Sequence, residues 1–288
     1  MDKKNQITEG VIWKQLLIFF FPIMVGTLFQ QLYNTVDAII VGRFVGKQAL
    51  ASVGGSAAVL TNFVIGFFTG LSAGATVIIS QFYGAKNLKQ LSKGLHTAYA
   101  FSITVSILIS VIGWFSTPAL LYLLKTPADV IPDSILYLRI YFLGMIFTLT
   151  YNMGSSIMRA IGDSRRPLIY LVICCVINII LDILFVIVFH MGIAGAAIAT
   201  VISQGVSAIL VTRSLMKSYG ILKLELRAIR FHGALLKSEL KIGLPGGIQS
   251  FGYSISNIII QAVINNFGTD TAAAWAAYGK LDAIFWTV

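Results

Sequence analysis

The sequence predicts an all-α polytopic membrane protein. It consists of a six-helix amino-terminal lobe followed by the first one to two spans of a second lobe built as a parallel repeat of the first. Three observations carry this. Of the 288 residues, 57% are hydrophobic and only 11% charged, with a mean hydropathy of +0.85, where a soluble domain carries about a quarter charged residues. Apolar runs of at least about 18 residues recur along the chain, each long enough to cross a hydrocarbon core. These runs are continuously apolar and do not alternate, which excludes a transmembrane β-barrel. Finally, the tail of the sequence resembles its beginning.

In order, the spans are expected near residues 15–42, 53–80, 95–117, 133–157, 167–189, 194–216 and 244–265, with a last one starting near Thr271. The amino terminus, MDKKNQITEGVIWK, carries no small-residue cleavage site, and the first apolar run is too long for a signal-peptide core, so it reads as a retained span. Basic residues gather on alternate connections: Lys3, Lys4 and Lys14; then Lys86, Lys89 and Lys93; then Arg159, Arg165 and Arg166; then the run from Arg213 to Lys241. The other side holds only Arg43, Lys47, Lys125 and Arg139. The positive-inside rule therefore places the amino terminus in the cytoplasm. The net charge of +10 is topological, its partner the lipid bilayer and not nucleic acid.

Three regions follow: an amino-terminal six-span lobe over 1–216, a linker over 217–243, and the start of a second lobe over 244–288. The linker core, Lys217–Lys241, mixes basic residues with Leu and Ile at near-helical spacing and is expected to be an amphipathic helix on the cytoplasmic face. Beyond it Pro245 matches Pro22, Ser250 matches Thr27 and Asn257 matches Asn34. An even number of spans separates the copies, so the repeat is parallel. The second copy stops inside a span, so about four further spans are expected in a complete protein, by completion of the parallel repeat.

Asp37 and Asp182 lie inside apolar segments, Leu16–Val41 and Leu168–Phe189. A charge at the bilayer centre costs roughly 2.5–3.5 kcal/mol on insertion scales, and such residues usually face a bundle interior and mark ion or proton pathways. Positions three or four apart share a helix face. Gln30, Asn34 and Asp37 form one such stripe, with Tyr33 a turn before the acid. Asn178 and Asp182 form another, extended by Cys174. Thr200, Ser203, Gln204 and Ser207 line span six; Asn62, Thr69, Ser72 and Thr76 span two; Ser250, Tyr253, Asn257 and Gln261 span seven. A single Ser or Thr in a span more often bonds the backbone one turn back. The adjacent Cys174 and Cys175 point in different directions and form neither a disulfide nor a metal site together. The two acids can hold and release a proton, titrating as one unit if they are close. Alternatively, with Asn178 and Thr200, they offer hard oxygen ligands suited to Na⁺. The sequence leaves both open.

These residues resemble the multidrug and toxic compound extrusion (MATE) exporters. The resemblance rests on Pro22, Tyr33 to Asp37 and Val41 to Gly46; on Gln81 to Lys86; on Arg159 to Asp163 with Arg166-Pro167; on Asn178 with Asp182; and on Ile242 to Pro245. It implies two six-helix lobes around a central cavity, alternating access, and a multi-pass protein of the bacterial plasma (inner) membrane, monomeric when full length. It implies cation-coupled antiport, driven by H⁺ or Na⁺ and needing no other cofactor, that exports amphipathic or cationic compounds. By position, Asp37, Asn178 and Asp182 would form the coupling-cation site, with Tyr33 and Thr200 as neighbours. Gln30, Asn34, Gln204 and Asn257 would face the substrate cavity. The second lobe places Ile260 where the first has Asp37, so ion chemistry is expected in the first lobe. Two other readings compete with this one. A flippase of the same superfamily, moving a lipid-linked cell-envelope precursor, would want a basic cavity, and Arg139 is the one basic candidate in the first lobe's spans. An intramembrane aspartyl enzyme would need a second active-site motif, and the chain offers none.

Overall fold

The computed structural model describes residues 11–217 and 223–285. Lys3 and Lys4 lie outside them. The expected first span becomes α1, Ile12–Phe44, which carries Pro22 in its interior. Span two is α3, Ser56–Gly84, preceded by the short α2, Lys47–Gly54. Span three is α4, Leu88–Leu123, whose Asn87 cap accepts from the Gln90 N–H at 3.2 Å, satisfying one of the donors a helix start leaves orphaned.

Span four does not form one rod. It breaks into α5, Ile131–Leu143, and α6, Met145–Ala160, bent by 51°. The break falls at Gly144, whose backbone lies against the Val201 side chain, leaving no room for a Cβ. Only glycine permits that approach. Span five is α7, Arg165–Asp182, which runs into a π-helical turn over Ile183–Val188. The wider turn begins immediately after Asp182, and such turns often sit at functional positions. Span six is α8, Gly192–Lys217. Helices α1, α7 and α8 pack together, as do α4, α5, α6 and α8, around a core that includes Phe68, Tyr99, Leu138, Met145 and Leu149. Apolar side chains cover much of the outer surface, among them Leu108, Phe115, Ile180 and Ile209.

Among the described residues five helices are long and apolar enough to cross a membrane, or six if α5 and α6 make one span. This is a multi-pass membrane protein. The expected spans seven and eight correspond to α9, Gly233–Asn265, and α10, Thr269–Phe285, which are not among the helices that combine the required length and apolarity. Instead α9 is rich in glycine and polar residues, and it packs along α3 backbone against backbone. A Cβ on Gly70 would meet Gly247 N at 2.5 Å, and Gly74 lies on the Glu239 carbonyl. Small residues permit such close helix contacts in membranes.

The linker departs from expectation. Over Lys217–Lys241, where an amphipathic helix is expected, 218–222 lie outside the described residues and 223–232 form no α-helix. There the chain carries a single 3₁₀ turn at Leu226–Ala228 and stays extended to His232. Residues from Gly233 onward belong to α9, continuous with span seven. The reason is docking onto the bundle. Leu224 is fully buried and its N–H donates to Leu215 O at 3.1 Å, while the Glu225 N–H donates to His96 Nε2 at 3.0 Å. His96 Nδ1 is 2.7 Å from Ser92 O. A carbonyl only accepts, so Nδ1 carries the proton and Nε2 is free to accept from the linker.

Candidate functional site

A cavity of about 380 Å³ opens between α1, α3, α5, α6, α8 and the outer parts of α9 and α10. Its wall carries Asp37, the amides Gln30, Gln31, Asn34, Asn62, Asn152, Gln204 and Gln261, the phenols Tyr33, Tyr137, Tyr141 and Tyr151, and Trp275. Among the described residues, no Lys, Arg or His lines it. Aromatic faces, amides and one acid suit a bulky organic cation, because an aromatic ring's quadrupole attracts positive charge.

Asp37 sits on this wall and is itself mostly buried. Behind it lie Asp182 and Asn178, both fully buried and outside the cavity lining. The two acids are close enough for their charges to interact, and Tyr33 and Tyr137 both lie within electrostatic reach of Asp37. Both oxygens of Asp182, and both amide atoms of Asn178, have no hydrogen-bond partner among the described residues. Burial without a partner is costly for any polar group and more so for a charge, and a species supplying positive charge would offset that cost at Asp182 and Asn178.

Two other expected members behave more modestly. Thr200 lines the cavity, but its hydroxyl donates to Ala196 O at 3.0 Å, one turn back. Gln204 lines it too, with a buried Oε1 that has no partner among the described residues. Gln30 and Asn34 are on the wall, Asn34 donating to Gln31 Oε1 at 3.4 Å. Asn257 is half-buried on α9 and lies outside the lining; Gln261, one turn on, takes that place. Most of the span-two stripe simply back-bonds: Thr69 donates to Ile65 O, Ser72 to Phe68 O and Thr76 to Ser72 O. Cys174 and Cys175 are free and buried.

The family model MatE matches residues 22–184, more than half of the chain and the segment that holds Asp37, Asn178 and Asp182. The chain belongs to the MATE family.

That family is one of transporters and not of enzymes, which removes the aspartyl-enzyme reading. Similar proteins include the probable multidrug resistance protein YpnP of Bacillus subtilis (strain 168), 32% identical over 98% of this chain and 63% of the relative. The multidrug export protein MepA of Staphylococcus aureus (strain MRSA252) is 21% identical over 95% of this chain and 60% of its own length. Among solved structures the MATE multidrug transporter DinF-BH, solved in complex with a dye, aligns with a TM-score of 0.88 at 26% identity, over 100% of this chain and 64% of that one. The chain thus spans a little under two thirds of the length of these relatives.

Most of the cavity residues not legible in the sequence belong to this chain's broken fourth span, Tyr137, Tyr141, Thr148, Tyr151 and Asn152, joined by Gln31 and Trp275. On that span the spacing, three or four residues apart, is a readable signal within each half. The break at Gly144 hides it, because a single helical wheel drawn through 133–157 loses phase at the bend. Arg139, on the same span, faces away from the cavity and stacks over Trp114 at 5.2 Å.

Proposed function

We propose that this chain is the ion-coupling part of a cation-driven antiporter that exports amphipathic, cationic compounds by alternating access. The observation that carries the reading is the arrangement of Asp37, Asn178 and Asp182. One acid faces a cavity lined by no described basic residue, and behind it stand an acid and an amide with no hydrogen-bond partner among the described residues. A proton, or a Na⁺ ion coordinated by carboxylate and amide oxygens, satisfies these groups. Its arrival changes the charge at the cavity wall where an organic cation would sit, and the two cations then compete for one negative field. That competition is the basis of exchange, since a ligand shifts a conformational equilibrium only through its differential affinity for the two states.

A lining of amides, aromatic rings and one acid disfavours an anionic lipid-linked cargo and hence the flippase reading. Relatives named as multidrug exporters, and a related transporter holding a dye, support small-molecule cargo. The basic connections support a cytoplasmic amino terminus in a bacterial plasma membrane. The test is export of ethidium from cells expressing the protein. The Asp37→Asn, Asp182→Asn double variant is expected to abolish export at unchanged expression, and unchanged export would sink the proposal. Repeating the assay with a Na⁺ gradient or a proton gradient alone identifies the coupling ion.

A further inference from the structure

Glu239 is a buried acid that the proposed exchange does not use. It stands on the first turns of α9, ahead of the expected span 244–265, and is 4% exposed. Its carbonyl lies against Gly74 of α3, and its carboxyl Oε1 is 4.0 Å from where a Cβ on Gly94 of α4 would stand. The same spot is bounded by Ile79 at 3.6 Å and Phe82 at 4.0 Å. Oε1 is buried without a hydrogen-bond partner, and Glu239 makes no ion pair among the described residues.

Among the described residues no surrounding charge forms an ion pair with Glu239. Helix α3 offers no ionisable side chain between Ser56 and Phe82, its first being Tyr83. Helix α4 carries Lys89, Lys93 and His96 near Gly94, with His96 occupied by Ser92 and the linker. The linker brings Arg230 and His232, and His232 is engaged with Thr97. On α9 itself Lys237 and Lys241 are exposed, and Asp270 of α10 pairs with Lys47. A carboxylate seated beside Ile79, Phe82 and Gly94, with no ion-pair partner among the described residues, is a costly species.

We propose that Glu239 is a proton-binding site, separate from the Asp37–Asp182 cluster, that ties closure of the α3–α9 seam to proton uptake. The packed seam admits only the neutral acid. When α9 separates from α3 and α4, water reaches the carboxyl, which then ionises as an exposed glutamate does near neutral pH. Closure takes up one proton and opening releases it. A falling pH on the lysine-rich side therefore favours the closed seam, and a rising pH favours the open one.

The test uses the 288-residue chain in lipid nanodiscs with spin labels at the exposed positions Gln81 and Lys237, on either side of the seam. Distances are measured from about pH 5 to about pH 9, spanning the range between an exposed and a deeply buried carboxyl. The expected result is one short distance at acid pH and a longer population that grows with pH, by up to about tenfold per unit for a single linked proton. Glu239→Gln and Glu239→Leu are both expected to hold the short distance at every pH. The second variant fills the site with an apolar group, so the two do not share one route to misfolding. Asp37→Asn with Asp182→Asn is expected to keep the response, which separates this proposal from the coupling reading. A wild-type distance that ignores pH, or a response that survives in both Glu239 variants, overturns it.

Discussion

Asn265 donates from Nδ2 to Ser56 Oγ at 2.9 Å and to the Leu124 carbonyl at 2.7 Å. These two bonds tie the outer end of α9 to the start of α3 and the end of α4. Gln261 Nε2 donates to Asn265 Oδ1 at 2.9 Å, and Thr126 donates to Ser56 Oγ at 2.8 Å. The second-lobe helix is thus held by a buried polar knot at one end and by glycine contacts with α3 further along.

Asn265→Ala leaves the Leu124 carbonyl and one Gln261 proton buried without partners. The expected cost is about 1–3 kcal/mol, the usual penalty for orphaning buried polar groups. It is read as a lower thermal unfolding midpoint in detergent, with the exposed Thr69 hydroxyl, which donates to Ile65 O one turn back, as a local control.

Gly70→Ala tests the other contact. The new methyl would stand 2.5 Å from Gly247 N and 2.6 Å from the Gly246 carbonyl, and backbone cannot swing aside as a side chain can. We expect overpacking of about 1–3 kcal/mol and a displaced α9. A Cβ at Gly84 meets nothing within 4 Å, so Gly84→Ala should be neutral or slightly stabilising. Equal melting of the two variants would contradict the seam as described.

Cavity chemistry predicts binding selectivity. Tyr137→Leu removes an aromatic face from the wall while keeping bulk. Cation–π contacts of about 0.5–2 kcal/mol translate into roughly twofold to thirtyfold weaker binding of a planar cationic dye. Fluorescence polarisation with the purified chain measures it. A neutral dye of the same size should bind equally well before and after the substitution.

Linker docking should depend on pH through His232. Its N–H donates to Thr97 Oγ1 at 3.3 Å, its Nδ1 lies 3.1 Å from the same hydroxyl, and its Nε2 is buried without a partner among the described residues. Burial first, then Arg230, Lys93 and His96, holds the imidazole below its ordinary 6.5. The undocked linker therefore binds more protons than the docked one within that window. His232's contribution to docking is fully present above 6.5 and is lost as pH falls through the depressed value. Amide exchange over 224–232, corrected for its intrinsic pH dependence, should rise on the acid side, and His232→Asn should flatten the profile.

Much of the bundle could be read from residues alone. Apolar length marked the spans. The spacing of Asn178 and Asp182, and of Gln30, Asn34 and Asp37, marked faces that could not point at lipid. The linker could not be read this way. Its Leu and Ile spacing suits a surface helix, yet Leu224 is buried and His96 and Thr97 hold the backbone extended, and those partners lie more than a hundred residues away.

By itself, then, the sequence determined an all-helical membrane chain with two acids in one lobe, because hydrophobic length and helical period are local properties. The tertiary structure alone decided that Asp37 meets the cavity while Asp182 and Asn178 stand behind it, and that Gln261 and not Asn257 reaches the wall. It alone placed the bend at Gly144, the π-helical turn after Asp182 and the burial of Glu239 under Gly94. The physical reason is the same for each. Periodicity tells which residues share a face, but what that face meets depends on how distant helices pack, and close packing turns on backbone approaches that no local pattern encodes.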